Sequence, residues 1–410
     1  PSAPAGAGPG SFGGAIDPAA APQVVYPYDR VLFPPNLTSL EVHFTRGAAA
    51  NTLFELTFQN KVTDLTVYTA CTPPAPGDPS GCIYAVPASL WDILARSNQG
   101  SGQPGDPVLL TVRGTNGTKV GVSASLAMQV SPEDLRGGIY YWTAEGGTSG
   151  IYRVDLEKQV REPFFLVSDG PADHRGDKTC VGCHALSHAG DRMTLVLGGG
   201  HISDLLMLSV QKPKPPLYAR IDTTPGKTEA ERQFSNYQTF GPDGSSLVSA
   251  LRGTLSLLSA ADGTPLIGAI NTGGKATQPD WSRSGSLLAF TRYSDVTPAP
   301  PANDGDNAEF FIKKGAIGLL RWDGKTFTEL KTLVPEKANQ NSYYPTVAPG
   351  DQFVVFNRAA GCVAGDDCSA YHNPRAKLYL IATQNGSEQE LTNINRGGPN
   401  DLDGAGKVKD

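Results

Sequence analysis

Three stretches of the chain repeat one design. "FGPDGSSLVSALRG" begins at Phe240, "WSRSGSLLAFTRYS" at Trp281 and "VAPGDQFVVFNRA" at Val347. Each is a tight turn feeding an apolar strand. A second strand follows ("GTLSLLSAADG", "GAIGLLRWDG", "KLYLIATQNG"), then a third ("PLIGAI", "FTELKTLV", "QELTNI"). A small sheet of this kind cannot bury both of its faces alone, so neighbouring units must stack against it. Units recurring at irregular spacing above roughly 40 residues predict the blades of a β-propeller. Residues 186–190 (Leu186, Ser187, His188, Ala189, Gly190) stand where Trp281 to Gly285 stand, so "DRMTLVLG", "SDLLMLSV" and "PLYARI" form a further blade. A partial earlier one is "GGIYYWTAEGG", "GIYRVDLE" and "EPFFLV". Five blades are recognisable, and the chain ends leave room for a sixth. The expectation is a five- to six-bladed propeller over residues 137–410.

Upstream, the strand signals have a different spacing. "TSLEVHFT", "NTLFELTF" and "TDLTVYT" alternate apolar and polar residues, and "PVLLTVRG" and "VGVSASLAMQV" carry the pattern to residue 130. Only "PASLWDILARS" reads as a helix. Short alternating strands bounded by turn formers predict a small β-sandwich, Ig-like in architecture, over residues 25–136. No cross-sheet cysteine pair is expected in it. Residues 1–24 are rich in Ala, Gly and Pro without periodicity and read as a flexible tether exposed after removal of a signal peptide. A lipid-anchored cysteine upstream would suit such a tether.

The fold class is therefore all-β, which the composition supports: 47 Gly, 33 Pro and only 18% charged residues in 410. A net charge of −6 gives no electrostatic case for nucleic acid. No apolar run is long enough to span a bilayer as a helix.

Six cysteines fall into three close pairs. Cys71 and Cys82 flank "TPPAPGDPSG", and Cys362 and Cys368 flank "VAGDD". Both are loops, so two local disulfides and an oxidising compartment are expected, periplasmic or at the bacterial cell surface. The third pair opens "CVGCH" at residues 180–184. C-x-x-C-H is the attachment pattern of c-type haem: two thiols three residues apart add to the two vinyl groups, and the adjacent histidine reaches the iron. Cys180 and Cys183 would carry one covalent haem c and His184 would be its axial ligand. A structural zinc site would need a second ligand pair that is absent. A thioredoxin-like pair would need a following helix. A plain Cys180–Cys183 disulfide remains open.

For the sixth iron ligand, Met193 is the nearest candidate in sequence, although its counterparts Leu288 and Val354 are ordinary core positions. His201, after a Gly-rich loop, and His174, in "PADHRGDKT", are the alternatives. The acidic loops 303–310 and 400–406 do not match calcium-loop spacing and read as solvated turns.

The repeats "FGPDGSSL" and "WSRSGSLLAF" resemble those of TolB-like, WD40-like propellers, over roughly residues 137–395. With "SPEDLRGGIYYW" leading into a propeller that carries "CVGCHALS", the chain also resembles secreted bacterial proteins in which a β-sandwich precedes a haem-bearing propeller. The fold alone says little about function. The motif implies a secreted or surface-tethered mono-haem cytochrome performing one-electron transfer rather than catalysis, with a redox partner protein or a second copy of itself. A compact chain of this length has a radius of gyration of about 22 Å, so a single haem must lie near the surface to exchange electrons. Two other readings stay open. One is a binding or structural propeller in which the haem is a staple or sensor. The other is a peroxidase-type enzyme with an open sixth position.

Overall fold

The computed structural model describes residues 4–395 save for internal stretches, the longest being 221–234 and 295–310. His201 and the acidic loops 303–310 and 400–406 lie outside the described residues. The chain is all-β, with a sandwich followed by a β-propeller.

The sandwich has a seven-stranded sheet and a three-stranded sheet. Alternation along the strands sends one face of each sheet into a shared core. Val42 and Phe44 of Leu40–Thr45 meet Phe54, Leu56 and Phe58 of Leu53–Gln59, together with Val108, Leu110 and Val112 of Val108–Thr115. The one long helix, Ala88–Ser97, buries Trp91, Leu94 and Ala95, three positions that share one face at helical spacing.

Two expectations need correction here. Residues 9–24 are not a free tether. Phe12 is buried; its carbonyl accepts from the Arg113 guanidinium at 2.8 Å, and that guanidinium lies 5.2 Å from its ring centre. Ala15–Ile16 pairs in parallel with Lys119–Val122, and Gln23–Tyr26 is an edge of the smaller sheet. A single aromatic and a few strand pairings anchor a segment whose composition shows no pattern. In addition, the sandwich does have a cysteine bridge between its sheets. Cys71 directly follows Asp64–Ala70 of the larger sheet, and its partner Cys82 lies in Gly81–Val86 of the smaller. The second disulfide, Cys362–Cys368, also forms as expected.

The propeller consists of five consecutive sheets. Blades 2 to 5 have four strands each. Their first strands are Val181–Leu186, Tyr237–Phe240, Lys275–Trp281 and Gln340–Val347. The second strands of blades 2 to 4 are buried on both faces, as stacking demands, whereas that of blade 5, Phe353–Ala360, alternates buried and half-buried residues. In blade 2, Met193, Leu195 and Leu197 face the cluster shared with blade 1, while Val196 faces blade 3. Similar apolar clusters join blades 3 and 4 and blades 4 and 5. Among the described residues no such cluster joins blade 5 to blade 1.

Blade 1 has only three strands: Gly138–Glu145, Thr148–Asp155 and Val160–Leu166. The sequence alignment makes these the second, third and fourth strands of a blade, so among the described residues the first strand is the one not seen. Gly138–Glu145 pairs only with Thr148–Asp155.

A buried carboxyl links the first strands of blades 4 and 5. Asp280 Oδ2 accepts the Val347 N–H at 2.6 Å, and burial raises its pKa from 3.8 to about 6. The native state thus holds this proton more tightly than the unfolded chain. Stability is highest below the ordinary carboxylate range and falls as pH rises through about 6. Asp280→Asn keeps an acceptor for Val347 without the charge. It is expected to be more stable than the parent at pH 7.5 by about 1–3 kcal/mol, with the gap closing below pH 4, as urea unfolding at both pH values would show.

Candidate functional site

The C-x-x-C-H segment lies on the first strand of blade 2, entered from Cys180 and running through Val181–Leu186. This strand is not regular. Its pairing with Arg192–Leu197 slips between Gly182 and Ala185, and Cys183 takes the left-handed conformation at φ 46°. In a regular strand, residues three apart project from opposite faces; a bulge breaks that alternation and re-aims the side chains around it. The same device recurs. The first strand of blade 4 slips between Thr277 and Asp280 with Gln278 at φ 52°, and that of blade 5 between Tyr343 and Thr346 with Tyr344 at φ 49°. Cys183 therefore occupies the bulge position of the repeat, and His184 stands where Pro279 and Pro345 stand. The motif is written onto an architectural irregularity that the propeller already uses.

Cys180 and Cys183 stand outside the two disulfides that bridge the other four cysteines. Cys183 is exposed and Cys180 half-buried. Burial pushes the Cys180 thiol above its usual range, and a hydrogen bond with Ser149 works the other way. The strand is pinned to blade 1 by buried Ser149, whose Oγ accepts the Val181 N–H at 2.6 Å and donates to the Val181 carbonyl at 2.9 Å. Trp142 Nε1 donates to that same carbonyl at 2.7 Å, and its indole lies over Gly182, where a Cβ would stand 3.4 Å from the ring nitrogen.

The His184 ring is held by the backbone carbonyl of Tyr140; burial holds its pKa below the ordinary imidazole range, and the Tyr140 bond opposes this. A ring nitrogen that donates to a carbonyl fixes the imidazole's orientation and leaves the other nitrogen as a lone-pair donor, the arrangement an axial metal ligand requires. Two unbridged cysteines three residues apart, followed by a histidine beside the Tyr140 carbonyl, have the donor set that a covalent haem would need.

The sixth-ligand candidates fare differently. Met193 is fully buried, paired with Leu186 and Leu208 in the core between blades 1 and 2, alongside Val181, Leu195 and Ile151. It belongs to the packing, like Leu288 and Val354 at the same place in their blades, and could reach an iron only by opening that core. His174 lies in the loop leading to Cys180 and is 6% exposed. Its Nδ1 is 2.8 Å from the Pro171 carbonyl, and its buried Nε2 has no partner. Of the two, His174 keeps a ligand's lone pair free. Among the described residues no group of three or more His, Cys, Asp and Glu side chains gathers to hold a metal ion.

Sequence reasoning missed Tyr140, Trp142 and Ser149. The signal available was "GGIYYWTAEGG", an aromatic run that reads as a strand but does not announce what it faces.

No protein-family profile and no curated protein matches the chain. Among solved structures, TolB from Acinetobacter baumannii has 14% identity, covers 90% of this chain and 78% of its own, and has a TM-score of 0.39. A nidogen/laminin complex has 12% identity over 62% of this chain and 78% of the other, with a TM-score of 0.38. A Lactobacillus plantarum protein has 12% identity over 83% and 95%, with a TM-score of 0.37. Likenesses this distant transfer nothing about function, and the fold assignment rests on the sheets themselves.

Ser149→Ala would leave the buried Val181 N–H without its acceptor. A loss of about 1–3 kcal/mol is expected in equilibrium unfolding, together with faster alkylation of Cys180.

Proposed function

We propose that the chain is a mono-haem c-type cytochrome of an extracytoplasmic compartment, periplasmic or cell-surface, that exchanges single electrons with a redox partner protein or a second copy of itself. The observation that carries this reading is the contrast among the cysteines. Four are bridged, and the two left unbridged stand in C-x-x-C-H before a histidine whose ring is held by the Tyr140 carbonyl. Two disulfides suit an oxidising compartment. Among the described residues no helix is long and apolar enough to cross a membrane.

Attachment is redox-neutral. Each thiol adds across a vinyl group: a sulfur–carbon bond forms at one vinyl carbon, and the thiol's hydrogen ends on the other. When bound, the haem iron supplies a one-electron couple. The chain's own residues then do the rest. Cys180 and Cys183 would hold the group through thioether bonds, and His184, beside the Tyr140 carbonyl, would offer it a nitrogen. Ser149 and Trp142 hold the strand that carries all three.

Pyridine haemochrome spectra of protein made in cells that attach c-type haem are expected to give one haem per chain, lost in the Cys180→Ala/Cys183→Ala double variant. A purified chain without covalent haem would refute the reading. Met193→Leu conserves volume and should cost less than about 1.5 kcal/mol. Its haem spectrum should match the parent, because Met193 serves the core.

A further inference from the structure

The place where blade 1 shows no first strand among the described residues adjoins the C-x-x-C-H segment. Thr148–Asp155 is the blade 1 strand that packs on Val181–Leu186, and Gly138–Glu145 reaches the same segment through single residues. Trp142 stands against Val181 and Gly182, and Tyr140 against His184. At the far end, Gly138 and Leu186 line a cavity of about 500 Å³, with Tyr140, Arg153, Val210 and the residues of the neighbouring turn around it. The outer edge of Gly138–Glu145 has no sheet partner among the described residues.

Exposure marks the same place. Ile139 and Trp142 are each 52% exposed, whereas apolar residues on the second strands of other blades, such as Leu195, Val248 and Phe290, are buried. Native proteins blunt open strand edges with charges, prolines or bulges. "GGIYYWTAEGG" offers none of these before its final glutamate. An aromatic, half-exposed strand with one open edge is a surface that calls for a cover.

We infer that the cover is the haem itself, seated along the seam between Gly138–Glu145 and Val181–Leu186 in the place of the strand not seen, with Trp142 and Tyr140 as its wall. This rests on the c-type reading above and adds to it where the macrocycle lies. The tether selects the occupant. Cys180 and Cys183 belong to one side of the seam, Cys183 is exposed, and His184 already addresses the other side through Tyr140. A flat apolar group fixed at those thiols cannot travel far from this strand. The cavity continues the seam beyond Tyr140, and its polar side chains, Arg153 and Asp155, are paired with each other at 3.1 Å. An indole locked by its N–H to the Val181 carbonyl is a rigid wall and loses little entropy on covering.

The test compares emission from Trp142 with and without the haem. Wild type and Trp142→Phe are both prepared with covalent haem, and the same pair is prepared in the haem-free Cys180→Ala/Cys183→Ala background. In the haem-free background, wild type should outshine Trp142→Phe by the emission of one indole. In the haem-bearing pair that difference should all but vanish, as for any porphyrin tethered nearby, and oxidation of the Trp142 indole by N-bromosuccinimide should be several-fold slower than in the haem-free background, which requires contact. Amide hydrogen exchange gives a second readout that needs no change at Trp142: Gly138–Glu145 should exchange more slowly in the haem-bearing protein than in the haem-free variant. Trp142 oxidation as fast as in the haem-free variant, or unchanged exchange in this strand, in a chain that carries covalent haem would overturn the seat and leave the cytochrome reading standing. A wild-type chain with no covalent haem would overturn both.

Discussion

A blade of this propeller is a sheet with two apolar faces, and it is stable only when both are covered. Everything from residue 138 onward follows from that constraint. Met193, Leu195 and Leu197 point one way and Val196 the other, so blade 2 needs blade 1 as much as it needs blade 3. Each side chain in such a cluster contributes on the order of 1.5–3 kcal/mol by leaving water. Blade 1 is the weak member, since it shows one strand fewer among the described residues. It compensates with Phe164 and Phe165 from its last strand, and with Ser149 and Trp142, which bond directly to the backbone of its neighbour.

The candidate site depends on this compensation. In blades 4 and 5 the bulge of the first strand carries Gln278 and Tyr344, which serve the interior: Gln278 accepts the Tyr344 N–H, and the Tyr344 hydroxyl meets that of Tyr237. In blade 2 the same bulge presents a thiol and an imidazole instead. The propeller supplies the irregularity, and the sequence changes what the irregularity displays. A left-handed residue other than glycine costs of order 1 kcal/mol, a cost the repeat bears in three blades. The bulge is therefore a property of the architecture and not a distortion made for chemistry.

The blades are legible in the sequence because their signals are local. A turn followed by an apolar strand can be read within a dozen residues, and the alignment of Leu186 with Trp281 and Val347 holds in the register, where they face Met193, Leu288 and Val354. The motif is legible because its five residues are contiguous. What escaped depends on the rest of the chain. Phe12 anchors a segment that otherwise looks unstructured, because one buried aromatic leaves no periodic trace. The Cys71–Cys82 pair reads as a loop staple, yet the chain changes sheets between the two cysteines. Tyr140 and Trp142 form a strand by pattern, but their partnership with residues forty positions on arises only when blades 1 and 2 meet.

The separation of the cysteines also bears on the order of assembly. On the proposed reading, six thiols would enter an oxidising compartment and two would have to stay unbridged. Both disulfides are short-range, spanning 11 and 6 residues, so each can close within its own loop without meeting the other cysteines. Cys180 and Cys183 lie far from either loop, on a strand that the fold presses between two blades. Once blades 1 and 2 have packed, Cys180 is half-buried behind Ser149, and a modifying enzyme reaches it less easily than it reaches the exposed Cys183. On the proposed cytochrome reading, attachment at both thiols would be easier before blades 1 and 2 pack than after, and the packed fold would then seal it.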